Sequence, residues 1–269
     1  MAMSWRSRPR LKPFEWGFLI LLVLVLLYVA ANLWAVVAGG LPNLGRALAD
    51  GEIRFAIRLS LWTTTLSTAL CMLISIPCAY LLACTPLPGK RWAEALLELP
   101  LSLPYLVLGL CLLTLFSSPV GKQLKALGLR LVFDPKGIVA VHLLINLPFV
   151  IHLATQAFRQ IDPELPLTAQ TLGATRFQAF RYITLPMCRP ALLSAVLLAW
   201  SRGVGEFGAT LMLVGVTRLK TETLPASIYL NISTGDNGMA LAAALLLLLL
   251  SLAVQGMSRL AGRIGCDPS

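Results

Sequence analysis

Apolar residues in this chain come in long unbroken runs rather than at every second or every third to fourth position. The first run covers 17–38, and others cover about 59–83, 93–116, 137–158, 190–214 and 239–257. Each is near the roughly 20 residues that a helix needs to cross the hydrocarbon core of a bilayer. The pattern predicts an all-α integral membrane protein with six transmembrane helices in a single unit over 1–269. Pro77 is expected to kink the second span, and Pro86, Pro88 and Gly89 mark its end. Pro100 and Pro104 lie inside the third, which leaves open a separate short helix over its first turns. Val36-Val37-Ala38 would pass as a signal-peptide cleavage site. The run before it exceeds the roughly 7–15 residues of a signal core, which favours an uncleaved span.

Composition agrees with the pattern. The chain is 57% hydrophobic and only 13% charged, against about a quarter charged in soluble domains. An ordinary soluble enzyme is thereby excluded. The net charge of +10 would suggest nucleic acid in a soluble protein, but here the basic residues fall between apolar runs and read as topology signals, with no nucleic-acid partner expected. Six spans put both termini on one side, which carries twelve Lys and Arg against nine on the other, with Arg202 inside the fifth span. The positive-inside bias makes both termini cytoplasmic in the inner (plasma) membrane. The six cysteines form no C-x-x-C pair, and with only two histidines no metal site is expected.

The segment 161–186 has the grammar of two short helices. Asp162-Pro163 is a helix start, Gly173 a break, and Thr175 with Gln178 a capping box for a second helix. On that second helix Phe177, Phe180 and Ile183 or Thr184 recur at helical spacing, while Arg176 and Arg181 project elsewhere. The result is a rigid projection outside the bilayer, or else an ordinary interfacial amphipathic helix.

The fifth span carries the chain's one intramembrane pair of opposite charges. Arg202 and Glu206 are four residues apart on one helical face and are expected to pair. Two readings stand for them: a salt bridge locking the span to its neighbours, or the lining of a pathway or gate in which Arg202 attracts an anion. Gly203, Gly205 and Gly208 match a dinucleotide fingerprint but follow no strand, so that reading is rejected. Gly205 and Ala209 form a small-xxx-small pair suited to close helix approach. In the fourth span His142 and Asn146 share a face, with His152 and Pro148 nearby; hydrogen bonding to adjacent helices is weighed there against a substrate role. Lys122, Lys125, Arg130 and Lys136 lie on the outer side, as a solvated basic loop or as a docking or anion-attracting surface for a binding protein.

These motifs resemble a known family. Gly173 followed by Ile183-Thr184-Leu185-Pro186 is similar to the cytoplasmic loop by which permeases of ABC importers grip their ATPase. The Glu-Ala-Ala that normally precedes the glycine is replaced by Leu167, Thr168 and Ala169. The resemblance implies an ATPase-coupling surface of Leu167, Thr168, Ala169, Gly173, Ala174, Phe177, Ile183, Leu185 and Pro186. The stretch 201–210, with Arg202, Gly203, Gly205, Glu206, Phe207 and Gly208, resembles the fifth span of molybdate, tungstate and sulfate permeases, and Thr223-Leu224-Pro225 with Ile228-Tyr229 the molybdate-type continuation. It implies a pathway or gate at those six positions, a permease homodimer in the bilayer, an extracytoplasmic solute-binding protein, and a separate cytoplasmic ATPase that carries the ATP and Mg. No P-loop, H-E-x-x-H or G-x-S-x-G occurs in the chain, so no catalytic residue, cofactor or metal is assigned to it. The alternatives are a sulfate or thiosulfate permease, an ion-coupled secondary carrier using Glu206, His142 and His152, and a membrane scaffold without transport.

Overall fold

A computed structural model describes residues 13–264. The regular structure among the described residues is all helical, with no strand among them. Four helices are long and apolar enough to cross a membrane, and two sharply bent pairs raise the number to as many as six.

Helix α1 (Pro13–Gly40) exposes most of its apolar side chains in the isolated chain, Leu27 and Trp34 among them. Such a surface suits lipid rather than water. Its last turn packs on the start of α14 (Asn237–Ile264), where a Cβ on Gly40 would lie 3.0 Å from the Leu241 carbonyl carbon and from the Leu245 side chain. Between α1 and α3 lies the short α2 (Leu44–Ala49). Helix α3 (Gly51–Cys84) starts earlier than its apolar run because Asp50 caps it, accepting from the Glu52 and Ile53 N–H groups at 2.8 and 3.0 Å. Its buried stripe is rich in small and hydroxyl residues: Ala56, Ser60, Thr64, Ser67, Cys71 and Ala79. That stripe lies against α7 (Pro135–Arg159). Lipid offers no hydrophobic drive for helices to associate, so close approach of small residues and interhelical hydrogen bonds hold them.

The third span, expected over 93–116 with a separate short helix left open at its start, is broken. It is two helices, α4 (Lys90–Ser102) and α5 (Tyr105–Ser117), bent by 112°. Leu103 is extended, as a residue preceding proline prefers, and Pro104 supplies no N–H to continue the ladder. The fifth span is also divided. After α11 (Arg189–Val204) the chain breaks at Gly205–Phe207 and resumes as α12 (Gly208–Val214). The short α13 (Leu224–Ser233) then leads into α14.

Three ion pairs join residues that the six-span reading puts on the same side. Arg159 pairs with Glu94 on the side of the 161–186 segment; Arg46 pairs with Asp236, and Arg218 with Glu52, on the other. Among the described cysteines, Cys71, Cys78, Cys84, Cys111 and Cys188 are free thiols; Cys266 lies outside the described residues.

Candidate functional site

Two regions carry the residues singled out from sequence. The first is the projecting segment. Helix α8 (Glu164–Thr171) ends at Gly173, whose φ of +96° is the left-handed geometry that glycine permits. Thr175 and Gln178 form the reciprocal capping box, at 2.7 and 3.2 Å, and open α9 (Arg176–Ala179). A π-helical stretch, Phe180–Thr184, follows, and then α10 (Leu185–Met187).

The segment is anchored by aromatic packing. Phe180 lies 4.6 Å from the Tyr80 ring of α3, and Tyr80 meets Phe158 of α7 edge-on at 6.1 Å. Thr184 is buried, and Ile183, Leu185 and Pro186 are half-buried against the bundle. Phe177 is 72% exposed rather than packed on the bundle, and it lines one cavity with Phe180, Tyr80 and Leu167. Leu167, Leu172 and Tyr182 are also exposed apolar residues of this segment, Thr168 and Gly173 are exposed, and Ala169 and Ala174 are half-buried.

The second region lies where the two broken spans meet. A Cβ on Gly208, the first residue of α12, would sit 3.7 Å from Tyr105, the first residue of α5, so the two helix breaks face each other. One turn deeper, a Cβ on Gly109 would come within 2.7 Å of the Ala209 backbone, which makes Gly109 the residue that lets α5 and α12 touch. No sequence motif pointed to it, because its partner lies on another helix. Gly205, by contrast, meets nothing but its own turn. The close approach expected of the Gly205/Ala209 pair is therefore made by Ala209 with Gly109.

The expected Arg202–Glu206 ion pair is also absent among the described contacts. The helix ends at Val204, so the i, i+4 geometry that would join them is lost. Arg202 instead donates from Nη2 to the Tyr105 hydroxyl at 2.7 Å, and its guanidinium carbon stacks 4.3 Å above the Phe149 ring. Its Nε has no partner. Glu206, 4% exposed, accepts from the Ala209 N–H at 2.8 Å and caps α12. Phe207 packs against Tyr229 of α13 at 5.5 Å.

Glu206→Ala is expected to lower stability by about 1–2 kcal/mol, the usual worth of a cap, while Glu206→Gln keeps an acceptor and costs less. Thermal unfolding of the purified chain measures both. Wild-type uptake by the Gln variant would leave Glu206 a cap and remove it from the pathway.

Behind Arg202 lies a buried polar seam. Asn146 donates to the Ala199 carbonyl at 3.2 Å, and His142 Nδ1 is 3.2 Å from Ser67 Oγ. Gly203 fits between them, since a Cβ there would be 2.9 Å from Thr64 and 3.5 Å from His142. His142 and Asn146 thus tie α7 to α3 and α11, as the interhelical reading expected. His152 is exposed and lines a separate cavity with Glu94, Glu98 and Arg159.

Comparisons with known proteins agree with this architecture. Residues 75–263 match the family model described as binding-protein-dependent transport system inner membrane component. A probable molybdenum ABC transporter permease protein of Haloferax volcanii is 34% identical over 98% of this chain and 96% of its own length. The molybdate/tungstate transport system permease protein of Thermococcus kodakarensis is 35% identical over 65% of this chain, and the match spans 66% of that relative. The sulfate transport system permease protein of Salmonella typhimurium is 35% identical over 65% of this chain and 64% of its own length. Among solved structures, a bacterial alginate ABC transporter chain superposes with a TM-score of 0.78 over 95% of this chain and 96% of its own, at 17% identity, a likeness of fold. By the family match over most of its length, and by a relative matched nearly end to end, this chain belongs to the inner membrane components of binding-protein-dependent transport systems.

Proposed function

We propose that the chain is the membrane-spanning permease subunit of an ATP-driven importer of a tetrahedral oxyanion, molybdate or tungstate before sulfate. The observation that carries the anion reading is the Arg202 guanidinium in a broken span, whose hydrogen-bond and ring partners are neutral and whose nearby carboxylate, Glu206, acts on it without a direct ion pair. A charge inside a membrane costs at least about 2.5–3.5 kcal/mol, and such residues face bundle interiors or ion pathways. Helix breaks that face each other are the usual architecture of transporter sites. The names of the molybdenum and molybdate/tungstate relatives support the substrate class; that of the sulfate relative keeps sulfate as the second reading.

In this reading two copies pair across one pathway, and both termini face the cytoplasm. The exposed apolar side chains of this segment, Leu167, Leu172, Phe177 and Tyr182, dock a cytoplasmic ATPase, which carries the ATP and Mg. An extracytoplasmic binding protein delivers the anion on the other side. Closure of the ATPases pulls on the two projecting segments, and the aromatic anchor of Phe180 on Tyr80 and Phe158 transmits that pull into α3 and α7. The equilibrium between inward and outward states shifts accordingly. The missing glutamate before Gly173 leaves an apolar Leu167 where a carboxylate contact would stand, so the grip rests on shape and apolar area.

Elemental analysis of cells with and without this chain, grown on trace molybdate, tungstate and sulfate, tests the reading. Selective loss of molybdenum and tungsten uptake is the expected result. Loss of sulfur uptake instead establishes the second reading, and no change in any of the three overturns the oxyanion assignment.

A further inference from the structure

On the side opposite the projecting segment, α5 turns sharply into α6 (Pro119–Ala126), and the chain then returns through 127–134 to α7. This corner is tightly built. A Cβ on Gly121 would collide with the Phe116 carbonyl oxygen, and one on Gly137 with that of Leu131. Gly128 and Phe133 both take positive φ, and the Phe133 N–H is bonded to the Leu213 carbonyl at 3.4 Å. The backbone therefore fixes the walls of a cavity of about 240 Å³ lined by Lys122, Lys125 and Arg130 together with Phe116, Leu131 and Phe133.

No carboxylate lines this cavity. None of the three cations forms an ion pair among the described residues, and the nearest acidic residue along the chain, Asp134, is engaged as the cap of α7 through the Lys136 N–H at 3.0 Å. Lys122 and Lys125 are three apart on one short helix and so share a face, where like charges repel. Gathering three cations around one concavity raises the local potential and favours an anion. A guanidinium among them adds a planar fork that matches two oxygens of a phosphate-like group. Apolar Leu129, which lines the cavity, is exposed, as are Val120 and Leu127 in the flanking chain, so this corner offers a surface that suits acyl chains as well as water.

We propose that Lys122, Lys125 and Arg130 form a binding site for a tetrahedral oxyanion group on the outer face, separate from Arg202. The same chemistry is offered by two sources, a phospholipid headgroup and a free inorganic oxyanion. The proposal is independent of the substrate that the chain transports.

The test uses the full chain in nanodiscs, comparing wild type with Lys122→Gln/Lys125→Gln/Arg130→Gln. In one arm the discs contain phosphatidylcholine with a minority of phosphatidylglycerol, and native mass spectrometry counts the anionic lipids retained per chain. In the other the discs are pure phosphatidylcholine, and retention of labelled inorganic phosphate and molybdate is measured. Each surface cation is worth about fivefold in anion affinity, so loss of all three weakens binding by about a hundredfold. Phosphatidylglycerol retained by wild type and lost by the triple variant identifies a lipid site; the same result with inorganic ion identifies a free-anion site. Lys125→Glu on its own, a change of two charges, weakens binding by about twenty-five-fold and Lys125→Arg does not, which separates the effect from misfolding. Equal retention by wild type and the variants in both arms overturns the proposal. Because Arg202 is present throughout, failure here leaves the pathway reading intact.

Discussion

Arg202→Gln is expected to lower oxyanion uptake by about one to two orders of magnitude, the worth of a hydrogen bond to a charged group at about 1.5–3 kcal/mol. The chain itself should be no less stable, because the substitution removes a charge whose presence in the bilayer is costly. That combination separates the two readings of this residue. A structural lock would lose stability and abundance together with transport; a pathway residue loses transport alone. Arg202→Lys keeps the charge but not the planar stacking on Phe149, so an intermediate uptake is expected. Tyr105→Phe removes only the hydroxyl that accepts from Nη2 and should leave uptake within a few-fold of wild type. Labelled molybdate uptake, normalised to the amount of chain in the membrane, is the measurement. Undiminished uptake by Arg202→Gln would sink the pathway role.

Gly173→Val is expected to cut uptake per ATP hydrolysed by about tenfold or more. At φ +96° with nothing within 4 Å of its would-be Cβ, the obstacle to a side chain is backbone conformation rather than space. A β-branched residue there costs on the order of 1–3 kcal/mol. The chain is expected to relieve that strain by reorienting α8 against α9, which moves Leu167 and Leu172 relative to Phe177 on the surface proposed to meet the ATPase. The anchor of Phe180 on Tyr80 and Phe158 lies beyond the elbow and is untouched, so the bundle should unfold at the wild-type temperature. Proteoliposomes containing the chain with its partner ATPase give both uptake and hydrolysis. Gly173→Asn, which tolerates positive φ better, should be milder. Normal coupling in the Val variant would remove the elbow from the mechanism.

Much of this molecule was legible because its signals are local. A run of about 20 apolar residues declares a span whatever surrounds it. The elbow was equally readable, since Asp162, Gly173 and the Thr175/Gln178 box each act on backbone groups within three residues of themselves. The ion pairs of Glu94 with Arg159 and of Arg46 with Asp236 were not read from the sequence, but each joins residues that span parity puts on one side.

Other features lay beyond the sequence because they depend on partners remote in the chain. Within the third span proline spacing left a break open, but the 112° bend placing Tyr105 beside Gly208 is set by packing against α7 and α12. The helical face shared by Arg202 and Glu206 assumed a continuous helix, and the interruption at Gly205–Phe207 gave each a different partner. Gly109, Gly121 and Gly137 are unremarkable in sequence, and each proves to be a place where two backbones touch. The sequence by itself thus determined an all-α membrane chain with a glycine elbow between two short helices, since hydropathy, capping and proline act over a few residues. The tertiary structure alone decided what meets the lone arginine and where three outer lysines and arginines converge, because those outcomes follow from how two broken spans and one tight corner pack.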